Sequence, residues 1–286
     1  MSANNGYYVP HQSIWPIVGS IGLFITMVGL ANMLTGAWNA TVLLIGAAIL
    51  LFMLFGWFGA VIKESESGLY SQQVDRSFRW GMGWFIFSEI MFFAAFFGAL
   101  FYARQFALPW MAGDAGRLAT HEFLWPAFEY VWPSSGPGEL GGEFQPMGWW
   151  ALPTINTLIL ITSSITLTFS HEAMRHNQRQ KHINWLALTI VLGLIFLGLQ
   201  MYEYVYAYTE LNLRLETGIY GSTFYMLTGF HGLHVAIGAI ILAVILGRSL
   251  RGHFTAERHF GFEAAVWYWH FVDVVWLFLF ICIYVL

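Results

Sequence analysis

The chain has 286 residues and a formal net charge of −4, and 58% of its residues are hydrophobic, 19% aromatic and only 10% charged. Soluble domains carry about 25% charged residues, so this composition excludes a soluble enzyme, a disordered chain and a nucleic-acid-binding protein. A single cysteine also excludes a disulfide framework and a thiolate metal cluster. The solvent for most of the chain is therefore expected to be lipid.

Seven apolar stretches are each long enough to cross the hydrocarbon core of a membrane. A spanning helix needs about 20 apolar residues, and a backbone in lipid must satisfy its own hydrogen bonds. In chain order, the predicted spans are residues 16–36, 41–62, 80–103, 151–170, 184–208, 221–246 and 262–286. The sequence thus predicts an all-α, polytopic membrane protein with seven transmembrane helices.

The basic residues predict how these helices are oriented. Nine of the twelve lysines and arginines lie in the connections after the second, fourth and sixth spans. The positive-inside rule places these connections and the N-terminus in the cytoplasm or matrix, and the C-terminus on the outer side. Residues 1–13 carry no Lys or Arg, so they lack the basic region of a cleaved signal, and the first span is expected to be retained.

The connections also predict a division of the chain. Residues 1–62 form a two-helix unit, residues 63–79 a basic cytoplasmic or matrix loop, and residues 80–286 a five-helix bundle. The long outer loop 104–150 is rich in proline, which argues against a long regular element, and in tryptophan, which prefers the headgroup level. We expect this loop to lie against the membrane interface or a partner.

Several ionisable side chains lie inside the predicted spans, where each is a candidate functional residue because charge is costly in lipid. They are Glu89, Glu203, His231, His234, His270 and Asp273. One interpretation is an intramembrane polar network between packed helices, formed by all of these except Glu89. The alternative is a haem or metal site. Such a site needs ligands from facing helices, whereas His231 and His234 share one helix, so we expect no metal and no catalytic residue here.

Glu89 stands apart because phenylalanines surround it in the third span, near the predicted middle of the membrane. We predict that it is a buried carboxyl in its protonated form. The sequence leaves two roles open for Glu89. It makes a structural hydrogen bond to a neighbouring helix, or it is a proton-exchanging or lipid-facing group.

Arginines at the ends of predicted spans lie at headgroup depth. Arg79 precedes the third span, and Arg248 and Arg251 follow the sixth. They are either topology anchors or ligands of lipid phosphate, with Trp57 supplying an interfacial ring.

Longer strings resemble a known family. Two C-terminal strings, GSTFYMLTGFHGLHV (221–235) and HFTAERHFGFEAAVWYWHFVDVVWLFLF (253–280), are similar to the subunit III family of haem–copper oxidases. Supporting strings are RWGMGWFIFSEIMFFAAFFGALFY (79–102), LPTINTLIL (152–160) and LQMYEYVYA (199–207). The resemblance covers about residues 50–286.

The resemblance implies an accessory, non-redox subunit of an aa3-type cytochrome c oxidase, the complex that reduces O2 to water with electrons from cytochrome c and pumps protons. Haem a, haem a3, CuA and CuB are then expected in partner subunits I and II, with subunit I as the main contact. The implied role is to support proton uptake, stability and lipid binding. The alternatives are subunit III of a quinol-oxidising haem–copper oxidase or, in a different class, a stand-alone membrane transporter.

The resemblance also implies particular site residues. Glu89 matches the family's buried carboxyl of the third helix. Trp57, Glu64, Arg248 and Arg251 match implied contacts to phospholipid in a cleft between the two-helix and five-helix bundles. The expected location is the bacterial inner (plasma) membrane, with a cytoplasmic N-terminus and a periplasmic C-terminus. The mitochondrial inner membrane is the alternative.

Overall fold

The computed structural model describes residues 8–9, 12–36, 39–114, 116, 118–139 and 141–286. In chain order, its helices are α1 (Trp15–Leu34), α2 (Thr41–Glu66), α3 (Gln72–Tyr102), α4 (Leu108–Met111), α5 (Leu118–Leu124), α6 (Leu152–Arg175), α7 (Arg179–Thr209), α8 (Gly218–Leu250) and α9 (Phe260–Leu279). Two π-helical turns, Ala103–Ala107 and Phe280–Val285, extend α3 and α9. The described part of the chain contains no β-strand.

Within these residues, seven helices are long and apolar enough to cross a membrane. They are α1, α2, α3 with its extension to Met111, α6, α7, α8 and α9 with its extension to Val285. This confirms the predicted all-α, seven-span architecture. Most of the helices are longer than the predicted spans, because a helix can continue into the headgroup region, where its charged ends are solvated.

The predicted loop 63–79 is the first clear case of such an extension. Helix α2 continues to Glu66 and α3 begins at Gln72, so only residues 67–71 are non-helical. The Arg79 Nε donates to Asp75 Oδ2 at 2.8 Å, one turn away on α3. Charged residues mark where the apolar stretch ends, but the helical backbone hydrogen bonds continue past them. The predicted loop 63–79 is therefore longer than the non-helical segment.

The predicted outer loop 104–150 likewise begins with helix. The chain passes from α3 through the π-helical turn into α4, in spite of Pro109. In a π-helical register the Arg104 carbonyl would pair with residue 109, and proline has no N–H to donate. The Tyr130 hydroxyl donates to that carbonyl instead, at 2.9 Å. Arg117, one of the cations in this connection, lies outside the described residues.

Packing divides the chain into two compact units, Met1–Trp80 and Gly81–Leu286. The first contains α1, α2 and the start of α3, and the second contains the remaining helices. The predicted two-helix and five-helix bundles, and the lipid-holding cleft between them, stay predictions.

Glycines hold α1 and α2 together in the first unit. The buried residues of these two helices are Gly22, Gly29 and Gly46. A Cβ added at Gly29 would collide with the backbone of Leu43, and one at Gly46 with that of Thr26. Small residues let transmembrane helices approach until their backbones touch. Many of the large side chains of this pair, such as Phe24 and Phe55, are exposed within this chain.

The second unit packs around α9. Trp269 and Trp276 are fully buried there. Their indole N–H groups donate to Ser163 Oγ and Thr157 Oγ1 on α6, each at 3.0 Å. Gly193 on α7 makes room for the first ring, because a Cβ there would lie 2.6 Å from it. Each tryptophan thus supplies apolar area while its polar atom is paired.

Candidate functional site

Glu89 on α3 and His234 on α8 form a polar pair in the second unit. The Glu89 Oε2 lies 2.8 Å from His234 Nε2, and the side chains are 21% and 12% exposed in this chain alone. The rings of Phe92 and Phe93 lie 5.9 and 5.0 Å from the imidazole. The structure thus joins two residues that the sequence singled out separately, in apolar surroundings that strengthen the hydrogen bond.

The pair shares one proton that either partner can carry. His234 Nδ1 lies 2.6 Å from the Phe230 carbonyl oxygen, which only accepts, so Nδ1 carries a hydrogen. The Nε2 atom then accepts from a protonated Glu89 carboxyl or, in the imidazolium form, donates to the carboxylate. Both arrangements are neutral overall, as lipid surroundings favour. The geometry therefore assigns one hydrogen to Nδ1 and requires one between Nε2 and Oε2, on either atom.

The other predicted members of the polar network lie elsewhere. His231 Nε2 donates to the Val272 carbonyl at 3.2 Å, across from α8 to α9. His270 Nδ1 lies 2.6 Å from Ser164 Oγ on α6 and 3.8 Å from Asp273 Oδ2 on its own helix. The structure therefore brings His270 and Asp273 together, but it places His231 in a separate link between helices.

Glu203 belongs to another link, near the C-terminal end of α7. Its side chain is fully buried, and its Oε1 accepts a hydrogen bond from the Tyr284 hydroxyl at 2.5 Å. The predicted residues thus form several distinct connections between helices rather than one continuous network. Helical spacing identifies residues on one face of one helix, but it does not say which other helix lies opposite.

His182 is a buried polar residue that the sequence analysis did not single out. It lies on α7, where its Nδ1 is 2.9 Å from Ser170 Oγ on α6 and its Nε2 is 2.8 Å from Ser249 Oγ on α8. One imidazole therefore links three helices. The sequence analysis missed His182 because it lies close to the polar start of α7, where a histidine next to charged residues resembles an ordinary side chain at headgroup level.

A basic surface lies at the end of α8, formed by Arg179, Arg248 and Arg251. The guanidinium of Arg248 lies 4.4 Å from the centre of the Phe254 ring, and Arg251 is the exposed C-cap residue of the helix. Arg179 at the start of α7 donates to the Leu250 carbonyl at 2.7 Å. Several guanidinium groups at one helix end can bind an anionic headgroup through charge-assisted hydrogen bonds.

The predicted lipid-contact residues of the first unit lie toward the end of α2. Trp57 is half-exposed and precedes Glu64 by two helical turns, so both lie on one face. The Tyr70 hydroxyl donates to Glu64 Oε2 at 2.8 Å. Burial, together with this hydrogen bond and the Glu64 charge, raises the pKa of Tyr70. The phenol therefore remains a donor at neutral pH. Arg79, at the start of the span in α3, is paired with Asp75, and its predicted contact with lipid phosphate stays a prediction.

The described residues contain no group of three or more His, Cys, Asp or Glu side chains that could hold a metal ion. His231 and His234 are committed to different partners, a backbone carbonyl and a carboxyl. The chemistry that these side chains offer is hydrogen bonding between helices, the holding of a proton and the binding of an anion.

The sequence matches the family model of cytochrome c oxidase subunit III over residues 5–110 and 121–286. The chain belongs to the cytochrome c oxidase subunit III family. Proteins named cytochrome c oxidase subunit 3 from Formosania lacustris and Aedes aegypti are each 38% identical to it over 285 residues, covering 98% and 99% of this chain and 97% of each relative. The protein of that name from Prototheca wickerhamii is 40% identical over 282 residues, with 97% and 96% covered.

Membership of this family confirms the resemblance and its main implication. The chain is an accessory subunit of a terminal oxidase, and it acts as part of the cytochrome c oxidase complex with other subunits. A stand-alone transporter and a quinol oxidase subunit are not favoured. Its seven apolar helices make it a multi-pass membrane protein. The stretch 111–120, which the family model leaves unmatched, lies within the long outer loop 104–150.

Proposed function

We propose that this subunit III stabilises its oxidase, binds phospholipid and supports proton uptake by the complex, with subunit I as its main contact and subunit II as a further partner. The observation that carries the proposal is the 2.8 Å contact between Glu89 Oε2 and His234 Nε2 within the membrane spans, and we infer that this pair holds an exchangeable proton. Haem a, haem a3, CuA and CuB would then reside in the partner subunits, and cytochrome c would supply electrons to the complex.

The lipid-binding part of the proposal rests on exposed surfaces. On α1 and α2 large apolar side chains such as Phe24 and Phe55 are more than two-thirds exposed, and surfaces of this kind are covered by lipid or by partner chains. Arg248 and Arg251 would bind headgroup phosphate on the second unit. Trp57 and Glu64 would contact lipid on the first.

The membrane and the orientation are part of the same proposal. The basic connections after α2, α6 and α8 favour a cytoplasmic or matrix N-terminus and an outer C-terminus. We propose the bacterial plasma membrane, with the mitochondrial inner membrane as the alternative. The orientation can be tested with a cysteine placed in the connection after α8. A membrane-impermeant reagent, added to sealed vesicles of known sidedness, then reports by its reaction with this cysteine which side the connection faces.

Replacing Glu89 with glutamine is expected to leave assembly and the initial rate of oxygen consumption nearly unchanged. Glutamine keeps the shape and can donate to His234 Nε2, but it cannot share a proton. An apolar carbodiimide, which reacts with protonated carboxyls, should label Glu89 in the wild-type oxidase and fail to label this position in the variant. The measurement is labelling stoichiometry together with oxygen consumption over many turnovers.

Glu89→Leu is the matched control, because it removes both the proton and the hydrogen bond. It leaves His234 Nε2 unpaired and should destabilise the helix contact by about 1–3 kcal/mol. Loss of most initial activity in a fully assembled Glu89→Gln oxidase would show that Glu89 carries an obligatory proton, and the supporting role proposed here would be wrong.

Replacing Arg248 and Arg251 together with alanine is expected to lower the amount of phospholipid retained by the purified oxidase. Each cation near a headgroup contributes about 1 kcal/mol, so the pair contributes about 2 kcal/mol, or roughly thirtyfold in affinity for anionic lipid. Native mass spectrometry of the complex measures the occupancy. Arg214→Ala, in the connection between α7 and α8, is the charge control, and equal lipid loss in both variants would contradict a specific headgroup contact.

A further inference from the structure

Five buried polar atoms at one end of the second unit have no hydrogen bond of acceptable geometry among the described residues. They are both amide atoms of Asn156, both amide atoms of Gln200, and Oε2 of Glu203. The three side chains are 0, 4 and 0% exposed. An amide or carboxyl buried without a partner costs free energy, and native proteins leave only a few such groups unsatisfied, so five of these atoms at one place call for an explanation.

The three side chains come from the same region of two packed helices. Thr166 on α6 and Thr189 on α7 are hydrogen-bonded at 2.8 Å, which fixes the antiparallel register of these helices. Ten residues farther along each helix toward the long outer loop, that register places Asn156 level with residue 199, beside Gln200. Gln200 also lies beside the Glu203 carboxyl and the Tyr284 hydroxyl, close enough to interact with each, but not in a hydrogen bond of acceptable geometry.

Helical periodicity places these side chains on the facing sides of α6 and α7. Asn156 precedes Ser170 by fourteen residues and Gln200 follows His182 by eighteen, so each lies near the face of its counterpart. Ser170 and His182 are hydrogen-bonded to one another across the two helices. Asn156 and Gln200 therefore lie on the sides through which α6 and α7 meet.

We propose that one or two ordered water molecules bind between Asn156, Gln200 and Glu203 and join α6 to α7. A buried water makes two to four hydrogen bonds to otherwise unsatisfied polar groups, and these side chains supply both donors and acceptors. The Tyr284 hydroxyl, bound to the other carboxyl oxygen of Glu203, extends the link to the C-terminal turn after α9. The site thus links α6, α7 and the C-terminal turn through bound water.

Water fits this set of side chains better than a cation does. A bound Ca²⁺ or Mg²⁺ ion needs about six oxygen ligands, commonly with more than one carboxylate. The site offers a single carboxylate, two amide oxygens and amide N–H groups that repel a cation. The amide hydrogens instead suit the lone pairs of water.

The direct test is a cryo-electron microscopy map of the whole oxidase at a resolution that shows ordered water. We expect density within about 2.7–3.2 Å of at least two of the three side chains. A well-ordered map without density there would overturn the proposal. Density that strengthens when potassium in the buffer is replaced by the heavier rubidium would identify a cation and would also overturn it.

A substitution distinguishes a hydrated site from a dry one by the sign of its effect. Asn156→Leu removes two hydrogen-bonding atoms at nearly constant volume. If water is bound, the change leaves that water and Glu203 less well paired, and the thermal midpoint for release of this subunit from the oxidase should fall. If the site is dry, the change removes two orphaned atoms and the midpoint should rise, which would contradict the proposal.

Asn184→Leu is the matched control, because Asn184 is exposed on α7 and its side chain accepts a hydrogen bond from the neighbouring Gln180 on the same helix. Its midpoint should stay within error of the wild type. Should Asn156→Leu fail to assemble, the wild-type map and the rubidium exchange still decide the question. Neither measurement depends on the proton-uptake role proposed for Glu89.

Discussion

Replacing Gly46 with leucine is expected to force α1 and α2 apart and to lower the amount of this chain retained in the purified oxidase. A Cβ at position 46 would overlap the backbone of Thr26, and backbone cannot move aside as a flexible side chain can. Overpacking typically costs about 1–3 kcal/mol, and collision with backbone puts this change at the upper end. Retention through purification, measured by mass spectrometry, should fall accordingly.

The separation of the two helices can be measured directly. Spin labels on cysteines introduced at Ser20 and Leu51, after replacement of Cys282 with serine, report the distance between α1 and α2 in the complex. We expect a longer and broader distance distribution in the Gly46→Leu variant. Gly59→Leu on the same helix is the control, since nothing lies within 4 Å of a Cβ there. An unchanged distribution for Gly46→Leu would contradict the close backbone contact.

Replacing His182 with leucine is expected to cost about 2 kcal/mol of stability in the second unit. The change removes the hydrogen bonds to Ser170 and Ser249 and leaves a buried hydroxyl on α8 unpaired. In soluble proteins such an orphan costs about 1–3 kcal/mol, whereas single hydrogen bonds between helices in membranes average about 0.6 kcal/mol. The expected loss of about 2 kcal/mol lies between these figures because two hydrogen bonds are lost and the site is fully buried. Unfolding of the purified oxidase by detergent titration measures it.

His176→Leu is the control for this prediction. His176 lies just after α6, is well exposed, and its imidazole lies 2.7 Å from the exposed Glu172 one turn earlier, so its loss should stay within about 0.5 kcal/mol. Adding Ser249→Ala to His182→Leu should recover part of the lost stability, because the orphaned hydroxyl on α8 is then gone. Ser170 stays unchanged, since its hydroxyl keeps a hydrogen bond to the backbone carbonyl of residue 182. A double variant less stable than His182→Leu alone would show that the histidine acts by packing rather than by its hydrogen bonds.

The predicted spans show which features of the helices can be predicted from local sequence. Apolar length located all seven helices, yet it placed the end of α2 near residue 62 and treated 104–150 as a loop from its first residue. Helix α2 in fact continues to Glu66, and α3 continues through Pro109. Hydropathy reports where lipid ends, whereas backbone hydrogen bonds decide where helix ends. At Pro109 the deciding group is Tyr130, which is distant in sequence and accounts for the freed carbonyl.

The sequence by itself determined the membrane class, the seven helices and the family, because lipid imposes length and apolarity on each segment separately and because the matching strings are continuous. Only the tertiary structure decided which polar groups meet. Glu89 and His234 are 145 residues apart, and nothing on either helix indicates the other. The same is true of Ser170, His182 and Ser249. Periodicity gives the face of one helix, while the choice of facing helix depends on packing of all of them at once, and that packing pairs the polar atoms which lipid cannot satisfy.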